Sequence, residues 1–511
     1  MTRKLLVLAI VLALAFGATA ARADAIDPST LDLVEMDWYI GLTEMPDHKV
    51  VNDYINEYLL EKLNAKVNLF YWPSADFQGK MTTMIQSGQD VGIIGFGSQT
   101  KLDYVVQAGV GAYYPLDELL ETYGQGTKAL FDDQLWDCMR YNGVIYGIPT
   151  LKDNGYFISL IWNEELADEL GLNPEEWEFN NWRDLEPYLY EAKALRDEKY
   201  PEHADRPITV DNTLAVPYNF ALECIFQDSY LAVNNIPGIE DIAAYDTETV
   251  FNFYSTDEYL EMCIAKQRMV EDGIYAYDYT DKNEWNYDGV NLAYIGWGYT
   301  YMEKHLFGDA FTTRMKMFDK IWTDTSNFYS AGTAISANSA NPERAMMILN
   351  LVNTDPFFAT TMRLGIEGMH YVYDADGKMQ IGGERNSGDR PEWGYYYWYA
   401  APVGNLTIVN APESMTGPDG IMLTKMMEYN QSCLKAAHMG FVFDMEPVRN
   451  EIAACTNIVS EYQMELIRGQ LGSEDEVREI WEEFNEKLSA NGVDAIVAEA
   501  QAQMDAWKAA K

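Results

Sequence analysis

The sequence predicts an α/β protein of two or three domains that ends in a mainly helical region. Three observations predict it. Short apolar strands alternate with amphipathic helices from the start of the chain. The stretch Val91–Phe96 is apolar almost throughout, as strands covered on both faces are. Beyond about residue 410 strand patterns thin out and helical ones run to the end.

The elements follow in order. Arg3 and Lys4 precede the apolar run Leu5–Phe16, and small residues lead to Ala21-Arg22-Ala23. A basic start, a short apolar stretch and an A-x-A end read as a secretory signal peptide over residues 1–23, with Ala20 as the second choice of cleavage site. The run is about 12 residues, short of the roughly 20 that a spanning helix needs. No cysteine lies near the cleavage site, so no lipid anchor is expected. The protein is therefore expected to be exported and to work in the periplasm or at the cell surface. Roughly 490 residues then remain, more than one core usually serves.

Asp32–Ile40 reads as a strand, and Val50, Tyr54, Ile55, Tyr58 and Leu59 fall at helical spacing within a helix from Lys49 to Leu63. Val67–Tyr71 is a second strand, Asp76–Ser87 a second helix and Val91–Phe96 a third strand, the succession of βαβ units with a mostly parallel sheet. Leu102–Ala108 and Pro115–Tyr123 are helical, and Asn142-Gly143 marks a hairpin. Asn163 and Asn181 are caps in the helical stretch Glu164–Lys199. Ser255 with Glu258 forms a capping box for a helix that Gly273 ends. Asn341-Pro342-Glu343 opens another through Val352. Four helices close the chain: Gly420–Ala437, Val448–Gly469, Ser473–Ala490 and Val493–Ala510.

Composition excludes several partners. The apolar fraction of 48% and aromatic fraction of 13% belong to a packed globular protein. A formal charge of -44 repels phosphate backbones and anionic lipid headgroups, so nucleic acid is not an expected partner. Cys138, Cys224, Cys263, Cys433 and Cys455 are odd in number and scattered, which is neither a disulfide framework nor a zinc set. Buried thiols are the simpler reading, with one long-range bridge left open. The chain holds no GxGxxG, GxxxxGK[ST], HExxH or GxSxG segment. Asp374-Ala375-Asp376-Gly377 resembles a calcium loop but lacks its third acid and terminal Glu, so a hairpin turn is the better reading. No metal, cofactor or catalytic residue is expected.

Aromatic residues beside polar ones gather where strands end. Trp38, Tyr39 and Glu44 lie at and beyond the end of the first strand, and Ser98 and Gln99 follow the third. Trp297 and Tyr299 follow the apolar Leu292–Ile295, and Trp297 stands between two glycines. In open α/β sheets the ligand crevice lies outside the carboxyl ends of the strands. Sugar C–H faces stack on aromatic rings while sugar hydroxyls need polar partners. A single Trp is also an ordinary core anchor, and Trp177, Trp182 and Trp481 are read as packing. The run Tyr395–Tyr399 is either a strand packed between lobes or part of the crevice.

Six segments in order carry a resemblance. They are Gly111–Leu120 (GAYYPLDELL), Gly143–Pro149 (GVIYGIP), Asn341–Met346 (NPERAM), Gly365–Tyr371 (GIEGMHY), Gly440–Asp444 (GFVFD) with Pro447-Val448, and the tail Glu499–Trp507 (ExQxQxDxW). The chain resembles extracellular solute-binding proteins of family 1, the receptors of ABC importers, in the subgroup with a C-terminal helical domain of unknown function. The resemblance implies a two-lobed, periplasmic-binding-protein-like (type II) fold with a hinge and a mainly helical C-terminal extension. It places lobe 1 at 24–150 with part of 300–370, lobe 2 at 151–300 and the C-terminal domain at 371–511, packed on the lobes. It further implies a carbohydrate ligand, an oligosaccharide held between the lobes of a monomer, and a membrane permease as partner. Trp38, Tyr39, Glu44, Ser98, Gln99, Trp297, Tyr299, Glu367 and His370 are the candidate ligand contacts. Glu367 and His370 have an alternative role in a structural hydrogen-bond network. Rival readings are a receptor for peptides or other small solutes on the same fold, and a secreted carbohydrate-active enzyme, which needs two carboxylates across the cleft.

Overall fold

The computed structural model describes residues 30–98, 100–211, 222–226, 229–239, 242–276, 289–297, 312–317, 320–385, 394–397, 403–410 and 421–511. Two five-stranded sheets organise them. In chain order their strands are β1 (Val34–Ile40), β2 (Ala65–Tyr71), β3 (Ile93–Gly97), β4 (Ile148–Pro149), β5 (Ile158–Asn163), β6 (Thr209–Asp211), β7 (Tyr275–Ala276), β8 (Ala293–Trp297), β9 (Thr313–Met317) and β10 (Ala331–Ile335). The first sheet has the order β2-β1-β3-β10-β4 and the second β7-β6-β8-β5-β9.

Local chemistry sets the element ends. The helix His48–Leu63 buries Val51, Ile55, Leu59 and Leu63, one stripe at helical spacing, and stops at Asn64, whose φ of 44° closes its last turn. Asn163 accepts from Leu166 N and Asn181 from Arg183 N and Asp184 N, capping the helices Glu164–Leu170 and Trp182–Lys199. The capping box expected at Ser255 is displaced by one residue: Thr256 accepts from Tyr259 N and caps Asp257–Glu271. Asn142 and Gly143 both take positive φ, the two-residue turn that joins Arg140–Tyr141 to Val144–Ile145. Asp374 Oδ1 accepts from Asp376 N and Lys378 N, which makes the acidic stretch a hairpin turn.

The sheets are not mostly parallel. β1 pairs in parallel with β2 and β3, but β10 runs against both β3 and β4. In the second sheet β6 is parallel to β7 and β8, and β5 runs against β8 and β9. The cause is the crossing of the chain. β5 and β10 each enter from the other sheet at the edge where the outgoing strands end, so each must run against them.

Three passages of the described chain run between the cores, and they pair with one another. Tyr156 N donates to Trp322 O at 2.7 Å and Trp322 N returns to Tyr156 O at 2.9 Å. Trp322–Thr323 pairs in parallel with Leu434–Lys435, the third crossing. Asn430, on the helix Ile421–Ser432, clips the first: its Oδ1 accepts from Asn154 N and Gly155 N, and its Nδ2 donates to Lys152 O. The result is a narrow waist between two cores.

One core holds β1–β3 with residues up to Leu151, then Phe328–Met362, Tyr395, Tyr397 and Val403. The second lies on the β5–β8 sheet. A third joins residues 222–264 to the helices Arg449–Ile467, Glu474–Ala490 and Val493–Ala510. Packing joins residues on both sides of 371, where the sequence places a division. Tyr395 and Tyr397 pack in the first core, Tyr396 in a small cluster with Leu364, Tyr371 and Met379, and the helical C-terminal core begins at Phe441. Tyr395–Tyr397 form no strand. Trp177 is buried on the second core, while Trp182 and Trp481 pack on the third. All five cysteines are free. Among the described residues no helix is long and apolar enough to cross a membrane.

Three ionisable side chains are buried where the crossings meet the third core: Glu223, Asp324 and His438. Glu223 Oε2 lies 3.1 Å from His438 Nδ1. Asp324 accepts from Cys224 N, Ser326 Oγ and Asn327 N. Burial, despite those bonds, pushes the Asp324 carboxyl up to about 7, with Glu223 adding to the rise.

Two predictions follow from this frame. A Cβ at Gly97 would lie 2.0 Å from the Ser330 oxygen, at a φ of +121°. Gly97→Ala is expected to cost about 3 kcal/mol or more in urea unfolding; an unchanged midpoint contradicts the close approach. The second concerns Asp324. Between about pH 4 and 7 the folded chain keeps a proton that the unfolded chain has lost, so this group subtracts stability as pH rises through that window. Asp324→Asn removes that dependence. Whatever the offset of the variant, the stability advantage of the unsubstituted protein over it should shrink from pH 4.5 to 7.5; a constant gap refutes the buried acid.

Candidate functional site

The crossings attach at the carboxyl ends of β1, β3, β6 and β8, so these edges of the two sheets flank the waist. On the first sheet that edge carries Gly41, Trp72 and Ser98. Trp72 N donates to Ile40 O at 3.0 Å, which fixes the residue directly beyond β2. Its indole is half-buried, tilted against Tyr39 at 4.9 Å and edge-on to Phe77, with Lys80 Nζ 5.2 Å from the ring. Trp72 is an aromatic residue at this strand edge that the sequence pattern did not single out. Its signal was present: a Trp placed between an apolar strand and Pro73.

The loop after β1 is held by a tyrosine cluster. Tyr397 stacks on Tyr71 at 4.8 Å, donates to Thr43 O and accepts from Met45 N. Tyr71 and Tyr395 share a hydroxyl contact at 3.0 Å, and burial raises both well above the ordinary tyrosine range, so they act as neutral partners. Asp47 anchors the other end. Its N donates to Gly394 O, and its Oδ2 lies 3.4 Å from His370 Nε2 and 3.8 Å from Arg385 Nε.

Of the candidate contacts, Trp38 has no exposed surface and sits in the first core. On β1 Met36, Trp38 and Ile40 share the buried face, and Trp38 points into packing. Tyr39 is 4% exposed, stacks on Phe70 and donates to Asp37 Oδ2, so its ring supports Trp72 from behind. Glu44 is exposed and lies 3.4 Å from His48 Nδ1. Ser98 is half-buried at the end of β3, its N donating to Ser330 O. Gln99 and Tyr299 lie outside the described residues. Trp297 closes β8 opposite Ile158, the first residue of β5. Its backbone is therefore at the waist edge of the second sheet.

His370 is fully buried and accepts from Ile366 N through Nδ1, which leaves the Nε2 proton for Asp47. Burial lowers its pKa, opposed by Asp47, so the ring is neutral near pH 7. Gly365, with φ +81° and its Cβ position 2.5 Å from His370 Nδ1, leaves room for the ring. His370 is thus a structural clamp between Gly365–Tyr371 and the start of the helix His48–Leu63. Glu367 stays exposed beside it. The floor of the waist adds the ion pair Lys152–Asp153 at 3.3 Å, with side chains 12% and 14% exposed, and the half-buried Tyr156. Among the described residues no group of three or more His, Cys, Asp and Glu is arranged to hold a metal.

Residues 437–509 match the model of DUF3502, a domain of unknown function. A carbohydrate ABC transporter substrate-binding protein of Streptococcus pneumoniae serotype 4 is 23% identical over 466 residues, covering 88% of this chain and 86% of that one. The crystal structure of an N-glycan transport solute-binding protein from Streptococcus pneumoniae superposes with a TM-score of 0.74 at 20% identity, covering 93% of this chain and 98% of that one. A Streptococcus pneumoniae substrate-binding protein, FusA, in complex with kestose gives 0.60 at 14% identity, covering 94% and 100%. The chain has the two-lobed fold of the ABC-importer solute-binding proteins, and its C-terminal residues 437–509 match DUF3502.

Proposed function

We propose that this protein is the extracytoplasmic substrate-binding protein of an ABC importer, that it captures an oligosaccharide between its two lobes, and that it delivers the sugar to a membrane permease. One observation carries the reading: two separate cores meet at a waist of three paired crossings, with aromatic and polar residues at the facing strand ends. Relatives on the same fold are named for N-glycan transport and for a complex with kestose, which supports a carbohydrate over a peptide. The site we propose comprises Trp72, Glu44, Ser98, Gln99, Trp297, Tyr299 and Glu367, with Tyr39 and His370 acting from behind the surface. Trp72 and Trp297 supply ring faces for sugar C–H groups, and the remaining side chains supply partners for hydroxyls. Closure is favoured by whatever contacts the sugar makes in the closed state and lacks in the open one. No covalent step is required of any residue in the site, and we read the protein as a receptor without catalytic activity.

A thermal-shift panel tests this. High-mannose N-glycan fragments, kestose and alginate oligosaccharides are compared with tripeptides. A ligand at a hundred times its Kd adds about 2.7 kcal/mol of stability, which appears as a rise in Tm. Trp72→Ala and Trp297→Ala are each expected to remove most of the shift, while Trp38→Phe lowers the baseline Tm and keeps it. A panel in which peptides stabilise and no saccharide does, or in which a saccharide is hydrolysed, overturns the proposal.

A further inference from the structure

The C-terminal domain has no assigned role, and its contacts are unequal. With the second lobe it shares a core and a series of polar contacts. Trp481 Nε1 and Asn485 Nδ2 donate to Tyr254 O, Val250 N donates to Gln501 Oε1, and Gln267 holds Leu471. The helix Asp257–Glu271 ties the same unit to the second sheet, since Ile264 lies in the third core and Met269 in the second. The C-terminal helices must therefore travel with the second lobe.

The strap Gly440–Met445, the GFVFD signature, is different. Phe441 and Phe443 enter the third core, whereas Val442 packs on the first and Met445 touches both. It is a seam between two bodies. At its end Asp444 is pinned to the C-terminal domain through its main chain. Its N donates to Gln503 Oε1 and its O accepts from Gln503 Nε2, each at 2.9 Å. Gln503 belongs to the ExQxQxDxW tail. The Asp444 carboxylate points the other way and accepts from Tyr141 OH of the first lobe at 3.0 Å. Burial, with the Asp444 bond, pushes the Tyr141 hydroxyl up to about 12, so it keeps the proton it donates. Gly109 leaves space for that hydroxyl; a Cβ there would lie 3.1 Å from it. Beside the bond a groove of about 290 Å3 runs between Val106 and Val110 of the first lobe and Ile452 and Ala453 of the C-terminal domain. Its two walls belong to the two bodies, so its width changes whenever the lobes move.

We propose that the Asp444–Tyr141 bond and the groove beside it form a latch through which the C-terminal domain sets the balance between open and closed lobes. This rests on the two-lobed receptor reading but needs no particular sugar. A hydrogen bond to a carboxylate held on a fixed main chain biases one arrangement of the lobes by an amount that its loss returns.

The test is an interlobe distance measured without sugar, by electron double resonance between spin labels at Glu118→Cys and Glu198→Cys; the protein without these two changes controls for labelling of Cys224 and Cys433. Tyr141→Phe is expected to shift the ratio of distance populations about tenfold. Ala453→Trp, which fills the groove, should displace the same population in the same direction, and Ala453→Ser should leave it in place. An unchanged distribution in folded Tyr141→Phe overturns the latch. Because no saccharide is present, failure of the sugar panel and failure of the latch are separate results.

Discussion

Everything functional in this molecule depends on how the three crossings satisfy their own backbone. A chain passing between two cores exposes amide and carbonyl groups, and buried ones without partners are costly. Here the crossings use each other: Tyr156 with Trp322, Trp322–Thr323 with Leu434–Lys435, and Asn430 filling the remaining positions on Asn154 and Gly155. The waist is consequently ordered but thin. Cores on either side are close-packed and resist deformation, so relative motion is concentrated in the few residues between them. A hinge arises because cooperative packing stops at Leu151 and resumes at Phe157.

The same waist accepts buried ionisable groups, which cores avoid. Glu223, Asp324 and His438 are each bonded, but polar groups taken out of water remain costly even when bonded. Their position matters more than their energy. Each bond joins a different pair of passing segments: Asp324 to Cys224 across the crossing, and His438 to Glu223 from the third crossing to the C-terminal core. Apolar contacts tolerate sliding, whereas directional bonds to main-chain amides fix register. A waist lined with aliphatic side chains would leave the three crossings free to slip past one another.

How much was legible in the sequence follows from how local each signal is. The caps at Asn163 and Asn181, the turn at Asn142-Gly143 and the last three helices were readable because each is decided within a few residues. Strand direction was not. β5 and β10 carry the same apolar pattern as parallel strands, and only the long-range entry from the other lobe makes them run backwards. The site suffered similarly. Trp38 and Trp72 both lie near strand ends, and burial separates them: Trp38 points between two layers, while Trp72 stands one residue past the paired register. Alternation places Trp38 on one face of β1 with Met36 and Ile40, but Trp72 lies beyond the strand, where alternation no longer assigns a face. His370 was legible as part of a motif, yet its role as a clamp on Asp47 depends on a residue 323 positions away.

The C-terminal helices show why one core can serve two purposes. Burying Val477, Phe484, Leu488, Ile496, Ala500 and Met504 against residues 222–264 stabilises the second lobe, which has lent those residues away from its own sheet. Helices that only stabilised would need no contact with the first lobe. The strap nevertheless alternates its side chains between two cores and ends on an aspartate whose main chain is held by one body and whose carboxylate accepts from Tyr141 of the other as well as from its own Glu446 N. An interface of a few directional contacts, Asp444 with Tyr141 and Lys511 with Asp137 among them, beside an unfilled groove is weak by construction compared with the apolar seam across the C-terminal domain. Weak and directional contacts between bodies that must move give a two-state balance that a modest ligand contribution can tip; a fully packed interface in the same place would hold the lobes in one position whatever lay between them.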